Sequence, residues 1–244
     1  MALLEVTNLT KRFGGLTANQ SISFQVSEGE MLGLIGPNGA GKTTLFNCIA
    51  GLHPIDEGTV RFNGADITRL SSHEIARLGL ARTFQIMVAS GDLNVLENIM
   101  VGCFMHTASR MRAKAEAQRI LKELELSDLG GYLVSELPVA AQKRVAMATA
   151  LGTRPRLLLL DEVAAGLNPS EIEGITATIH RIHAQMGVTI MLIEHVMEMV
   201  MNLSQRVVVL DYGQKIAEGD PRFVVKDPNV IKAYLGERYA KEHA

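Results

Sequence analysis

One octapeptide limits the folds open to this chain more than any other feature. Gly36-Pro-Asn-Gly-Ala-Gly41-Lys42-Thr43 fits the spacing G-x-x-x-x-G-K-S/T, with an apolar run at 31–35 before it and a helix-forming run at 44–50 after it. Glycine lets such a loop curl closely, and the N-terminus of the following helix presents N–H groups to an anion. The sequence therefore predicts an α/β protein with a phosphate-binding loop.

The roles predicted inside this loop follow from its chemistry. We expect Lys42 to reach the β- and γ-phosphates of a nucleoside triphosphate and the Thr43 hydroxyl to ligate Mg²⁺. The residues predicted to contact the nucleotide here are Gly36, Pro37, Asn38, Gly39, Ala40, Gly41, Lys42, Thr43 and Thr44.

A second motif supplies carboxylates. The apolar run Leu157–Leu160 leads directly into Asp161 and Glu162, and open α/β sheets bind ligands at the carboxyl ends of their strands. Taken alone, this acidic pair fits a helix cap equally well. Combined with the phosphate-binding loop, it predicts that Asp161 holds Mg²⁺ and that Glu162 polarises the water that attacks the γ-phosphate.

Charge and cysteine content exclude some classes of partner. The chain has 24 Lys and Arg residues against 26 Asp and Glu, a formal net charge of -2, so it lacks the basic field of a nucleic-acid binder. The charged stretch 109–119 contains no aromatic residue to stack on bases, which favours a solvated helix face. Cys48 and Cys103 match no disulfide or zinc pattern, and we therefore expect a reducing, cytosolic location.

The hydropathy pattern predicts no membrane span. Residues 1–8 read as a first strand without a basic leader, and no run of about 18 apolar residues occurs. A transport role would need separate membrane subunits.

The pattern along the chain predicts one domain over 1–244 with two lobes. Residues 92–152 have helical periodicity, with stripes at Leu93, Leu96, Ile99 and Met100 and at Ile120, Leu121, Leu124 and Leu126. We predict a nucleotide-binding core with a parallel sheet and an antiparallel β lobe from 1–87 and 153–244, and an inserted helical lobe at 88–152. Strands are expected at 3–7, 20–26, 31–35, 58–62 and 81–84, and later at 157–160, 188–193 and 206–210, with helices near 170–185 and 195–202.

Three further segments carry a family resemblance. Arg82-Thr-Phe-Gln85 resembles the Q-loop, Ala164–Pro169 the D-loop and Ile193-Glu-His195 the switch histidine of ABC transporter ATPases, in their order and spacing. The resemblance implies that Gln85 meets Mg²⁺ and the water site, and that His195 hydrogen-bonds the γ-phosphate. Phe13 would stack on adenine and Ala18 would touch the base or ribose, although Phe13 also fits a core position.

The segments 10–18 and 227–236 are similar to those that bracket the ATPases of branched-chain amino-acid importers. This resemblance implies a peripheral ATPase at the cytoplasmic face of the inner membrane, binding ATP and Mg²⁺. Its expected partners are a second ATPase subunit, two transmembrane permease subunits and an extracytoplasmic solute-binding protein, with no nucleic acid. The transported solute would be a branched-chain amino acid or a related small molecule.

One segment departs from the family pattern. The family signature is Leu-Ser-Gly-Gly-Gln, usually followed by Gln and a basic residue, whereas this chain has Leu137-Pro-Val-Ala-Ala-Gln142-Lys143-Arg144. Pro138 and Ala140 replace the hydroxyl and a close glycine that, with Gln142, would face a nucleotide on the partner subunit. We expect a helix from near Ala141 and a weakened signature face. The alternative function is a nucleotide-binding regulatory subunit with little hydrolysis of its own.

Overall fold

The computed structural model describes residues 2–83 and 90–235. In chain order the strands are β1 (Ala2–Phe13), β2 (Leu16–Ser27), β3 (Met31–Ile35), β4 (Glu57–Phe62), β5 (Ala65–Asp66), β6 (Leu80–Arg82), β7 (Leu157–Asp161), β8 (Thr189–Ile193), β9 (Arg206–Asp211) and β10 (Gln214–Gly219). The helices are α1 (Lys42–Ile49), α2 (Ser72–Arg77), α3 (Val95–Cys103), α4 (Arg110–Glu123), α5 (Val139–Gly152), α6 (Pro169–Met186), α7 (Met197–Leu203), α8 (Pro221–Val224) and α9 (Pro228–Leu235). The chain divides into two compact units, Met1–Ile75 with Thr189–Ala244, and Ala76–Val188.

The first unit contains an antiparallel sheet in the order β2-β1-β4-β5. Strand β1 pairs with β2 from Ala2 opposite Ser27 to Phe13 opposite Leu16. Both strands are longer than their apolar runs predict, because polar residues break the hydrophobic pattern while the ladder continues through irregularities in its register. The predicted antiparallel β lobe is present.

The first unit also contains the predicted parallel strands. Strand β3 lies between β8 and β9 and runs parallel to both, and β10 pairs antiparallel with β9. Every residue of β3 and β8 is buried, which explains why both read as unbroken apolar runs. Valines from α7, α8 and α9 pack with Ile35 and the β9 valines in one cluster: Val200, Val207, Val209, Val224 and Val230.

The second unit pairs β6 with β7 in parallel and packs α3 against α4 and α5. The predicted stripe of Ile120, Leu121, Leu124 and Leu126 is buried. Each of α3 and α6 begins with an asparagine capping box, at Asn94 and Asn168, and α6 ends at Gly187 in the left-handed conformation. These caps fix the ends of both helices.

The predicted start of α5 was two residues too late. The helix begins at Val139 and Pro138 is its N-cap, with φ −57 and ψ 151. Proline presets this extended conformation, and its missing N–H breaks no intrahelical hydrogen bond at a cap. Pro138 therefore precedes the helix and is compatible with it.

No helix within the described ranges is long and apolar enough to cross a membrane. The limits predicted for the helical lobe, 88–152, stay a prediction.

The contact of α3 with α5 makes a testable prediction. A Cβ added at Gly102 would lie 2.1 Å from the carbonyl oxygen of Thr149. We expect Gly102→Ala to destabilise the fold by about 1–3 kcal/mol through overpacking, which corresponds to a fall of several degrees in melting temperature at about 2–4 °C per kcal/mol. Thermal unfolding followed by circular dichroism measures this shift.

Gly174→Ala is the matched control, because nothing lies within 4 Å of a Cβ added there in α6. Alanine should raise stability at this helical position by about 0.5–1 kcal/mol. Equal melting temperatures for the two variants would contradict the close packing of α3 on α5.

Candidate functional site

The loop after β3 has a backbone that only glycine fits at two positions. Gly36 has φ 148, and a Cβ there would lie 2.1 Å from the carbonyl oxygen of Leu210. Gly41 has φ 97, and a Cβ there would lie 2.4 Å from the carbonyl oxygen of Ala18. The loop therefore curls between β2 and the end of β9 along a path closed to larger residues.

Lys42 lies inside this loop. It is the first residue of α1, is only 5% exposed, and its Nζ donates to the carbonyl oxygens of Gly36 and Pro37 at 2.8 Å each. The N-cap of α1 is Gly41, which makes no side-chain cap. A buried ammonium beside a helix N-terminus without a side-chain cap is positively charged and complements the negative charge of a phosphate.

Groups from distant parts of the chain hold the loop in place. The Nδ2 group of buried Asn19 donates to the Gly41 carbonyl at 3.1 Å, and Gly213 N–H donates to the Ala40 carbonyl at 3.1 Å. Among the described residues, Asn19 Oδ1 is buried without a hydrogen-bond partner. The sequence gives no signal for Asn19 or Gly213, because neither belongs to a phosphate-binding motif.

Tyr234 on α9 supports the start of the same loop. Partial burial raises the pKa of its phenol, and the nearby backbone of Gly36 opposes that rise in pKa. Val230 on the same helix packs in the cluster around Ile35, the residue before Gly36. The last described helix thus contacts the residue at which the loop leaves β3.

Phe13 lies at the end of β1 and is 44% exposed, so the alternative of a core position is wrong. Its ring makes an edge contact with His53, with centroids 5.4 Å apart, and Lys11 Nζ lies 5.1 Å from its centroid. The exposed part of this ring can stack on a planar group. Ala18 on β2 approaches the loop through its carbonyl oxygen, next to Gly41.

His195 is exposed two residues beyond the end of β8. Strands β3 and β8 are parallel neighbours, with Leu34 opposite Ile193. The phosphate-binding loop and His195 therefore both come after the carboxyl ends of these strands, at the same edge of the sheet. Val196, the residue after the histidine, is the N-cap of α7, and its side chain makes no capping hydrogen bond.

In the second unit, β7 delivers the two predicted carboxylates. Asp161 ends the strand with its side chain 1% exposed, and Arg82 NH2 donates to its Oδ2 at 2.6 Å. Glu162 follows with φ 48, in the left-handed region that non-glycine residues rarely enter. The Arg82–Asp161 ion pair was not predicted, because nothing in the sequence links a basic residue on β6 with the end of β7.

The altered signature lies at the start of α5. Pro138 and Val139 are exposed and Ala140 is half-buried. The Gln142 Nε2 donates to the Leu137 carbonyl at 2.7 Å, so its amide contacts its own chain. Gln85, predicted for Mg²⁺ and the water site, lies outside the described residues.

The grouping of the predicted residues follows the two units. The first unit brings the phosphate-binding loop, Ala18 and His195 to one sheet edge. The second unit brings Asp161 and Glu162 together at the end of β7. Within the described residues no group of three or more His, Cys, Asp or Glu side chains could hold a metal ion.

Comparison with known families adds to this geometry. Residues 19–165 match the family described as ABC transporter. The chain belongs to the ABC transporter family of ATP-binding cassettes. Residues 214–240 of the cassette also match the family described as Branched-chain amino acid ATP-binding cassette transporter, and both matches confirm the resemblance seen in the sequence.

Named relatives agree along nearly the whole cassette. It is 39% identical over 250 residues, 96% of this chain and 98% of the relative, to the high-affinity branched-chain amino acid transport ATP-binding protein BraF of Pseudomonas aeruginosa. It is 38% identical, with the same coverage, to the corresponding LivG protein of Escherichia coli K12. A probable LivG protein of Archaeoglobus fulgidus is 34% identical over 248 residues, 97% of this chain and 96% of the relative.

Solved structures confirm the α/β fold. A nucleotide-free ATP-binding cassette from an ABC transporter superposes with a TM-score of 0.88 at 33% identity, covering 97% of this chain and all of the other. A cassette solved as a dimer in a post-hydrolysis state with ADP and phosphate superposes with a TM-score of 0.79 at 25% identity, covering 90% of this chain and 99% of the other.

The exposed ring of Phe13 leads to a test by substitution. Stacking of a base on an aromatic side chain is worth about 1–3 kcal/mol by alanine substitution in nucleic-acid complexes, so Phe13→Ala should weaken ATP binding about 5- to 150-fold. Titration with a fluorescent ATP analogue gives the dissociation constant. Phe104→Ala, at a ring of similar exposure in the other unit, is the control and should bind as the wild type does. An unchanged dissociation constant in folded Phe13→Ala would remove Phe13 from the site.

Proposed function

We propose that the cassette binds and hydrolyses ATP to power an importer of branched-chain amino acids or related small solutes. The observation that carries this proposal is the closed glycine loop around the buried ammonium of Lys42, in a chain of the ABC transporter family. The named relatives are described as branched-chain amino acid transport ATP-binding proteins, which supports this solute class.

The first unit supplies phosphate binding. Amides of the loop and of the first turn of α1, where Thr44 lies, donate to phosphate oxygens, and Lys42 turns its Nζ from loop carbonyls toward the β- and γ-phosphates. Phe13 stacks on the adenine, and Ala18 contacts the base or ribose. His195 donates a hydrogen bond to the γ-phosphate from the same sheet edge.

The second unit supplies the groups for hydrolysis. Glu162 accepts a hydrogen bond from the attacking water and orients it toward the γ-phosphate. Asp161, with Gln85 and with Thr43 from the loop, would hold Mg²⁺, and when bound the ion neutralises phosphate charge. The donors fit this ion because Mg²⁺ prefers oxygen ligands. Arg82 holds the Asp161 carboxylate at 2.6 Å, which fixes its direction.

The proposed assembly has two cassettes, two transmembrane permease subunits and an extracytoplasmic solute-binding protein. This cassette would lie at the cytoplasmic face of the inner membrane. A related cassette is a dimer in its solved structure, which supports a second ATPase subunit, either identical or related. In such a dimer Pro138, Ala140 and Gln142 would face the nucleotide of the partner.

The named relatives give no support to the alternative of a regulatory subunit with little hydrolysis. They are described as transport ATP-binding proteins, and in this chain β7 ends at Asp161, directly before Glu162.

Glu162→Gln tests the catalytic assignment. The amide keeps the shape of the side chain but does not polarise water, so we expect ATP to bind normally while turnover falls at least about a hundredfold, the lower end of what general base catalysis contributes. Phosphate release by the cassette assembled with its membrane subunits measures turnover. Glu173→Gln, an exposed glutamate on α6, should leave the rate unchanged. Wild-type turnover by Glu162→Gln would show that another group activates the water.

The altered signature gives a second test. Restoring Ser at 138 and Gly at 140 should raise ATPase activity, because each restored contact to charged phosphate is worth about 1.5–3 kcal/mol, roughly tenfold or more in rate. Pro138 is the N-cap of α5, and a serine N-cap also stabilises a helix by itself. Melting temperatures and the two single variants separate these effects. No gain in rate would mean that the helix N-terminus already suffices.

A further inference from the structure

The side chain of Lys143 joins α5 to the loop that follows the catalytic strand. Its Nζ donates to the carbonyl oxygen of Ala165 at 2.7 Å and to that of Glu162 at 3.4 Å. Both acceptors belong to the turn after β7, and one of them is the main chain of the residue proposed to activate water. A single ammonium therefore bridges the two ends of this turn.

The turn needs such a support because its backbone is unusual. Glu162 has φ 48, a conformation in which the Cβ of an L-residue crowds its own backbone. The turn is closed by a hydrogen bond from Ala165 N–H to the Glu162 carbonyl at 3.2 Å, and Val163 and Ala164 are buried inside it. The direction of the Glu162 side chain depends on this backbone holding its shape.

The position of Lys143 on α5 is itself fixed. Its neighbours in the sequence also donate to main-chain carbonyls: Gln142 to Leu137 at 2.7 Å, and Arg144 to Leu124 at 2.6 Å. The Arg144 contact ties α5 to the end of α4, and the Lys143 contacts tie it to the turn after β7. An ammonium suits this place, because its three donors can serve several carbonyl oxygens at once.

We propose that Lys143 is a positioning residue for Glu162, holding the left-handed turn after β7 so that the carboxylate faces the attacking water. The proposal rests on the proposed function of Glu162. Lys143 acts through the main chain of the turn after β7. Its loss should therefore reduce turnover and leave ATP affinity unchanged.

Lys143→Met removes the ammonium while keeping a long apolar stem. We expect kcat to fall about three- to thirtyfold, the scale of hydrogen bonds from one partly exposed charged group, with the dissociation constant for ATP unchanged. Lys143→Arg should recover part of the rate, since it still donates to the turn. Lys114→Met, at an exposed lysine on α4, is the matched control and should keep wild-type kcat. If Lys143→Met does not fold, Lys143→Gln carries the same test.

A double-mutant cycle with Glu162→Gln separates this proposal from the function it rests on. If Lys143 acts through Glu162, Lys143→Met should lower kcat in the wild-type background and have little further effect in the Glu162→Gln background. Equal losses in both backgrounds, or loss of ATP affinity in Lys143→Met, would overturn the positioning role. If Glu162→Gln alone keeps the wild-type rate, the catalytic assignment fails instead.

Discussion

The buried charge of Lys42 is the interaction on which the nucleotide site depends. An ammonium removed from water is stable only when carbonyls or anions replace its hydration, and here the Gly36 and Pro37 carbonyls do so. Those carbonyls point inward because the loop follows a path that a Cβ at Gly36 would block. The glycine backbone and the lysine thus depend on each other. Phosphate oxygens, which are negatively charged, can also accept hydrogen bonds from this ammonium.

The loop does not hold this shape by itself. Asn19 on β2 and Gly213 in the turn after β9 fix its carbonyls, while the Tyr234 phenol lies near the backbone of Gly36. The last two groups lie near or within the segment that matches the branched-chain amino acid cassette family. Because Val230 packs in the cluster that contains Ile35, the C-terminal segment is part of the support for phosphate binding as well as a mark of the subfamily.

The sequence predicts those features of the structure that have a pattern within one short stretch of the chain. The phosphate-binding loop, the buried strand before Asp161 and the parallel strands around β3 each have a local pattern, and the structure has them at the expected places. The Arg82–Asp161 pair spans 79 positions and the Lys143 contact to Glu162 spans 19, so no local pattern reports them. The start of α5 is predicted two residues too late because proline signals that a helix begins nearby but does not fix the residue at which it begins. The left-handed backbone of Glu162 likewise has no signal in the sequence, because residues other than glycine rarely adopt this conformation.

The changes in the signature are confined to the end of α5 that faces solvent. Pro138 and Val139 are exposed, whereas Gln142, Lys143 and Arg144 keep the helix in place through main-chain carbonyls. The partial positive charge of a helix N-terminus comes from its backbone N–H groups, and those from Val139 onward are unchanged by the substitutions. What the substitutions remove is the hydroxyl and the backbone N–H at 138 and the clearance of a glycine at 140. The N-terminal N–H groups of α5 therefore still face solvent. Lys143, one of the residues that hold the helix, also donates to the turn that contains Glu162. Lys143 thus joins α5 to the turn after β7, so the exposed residues at the start of the helix can vary while this contact keeps its geometry.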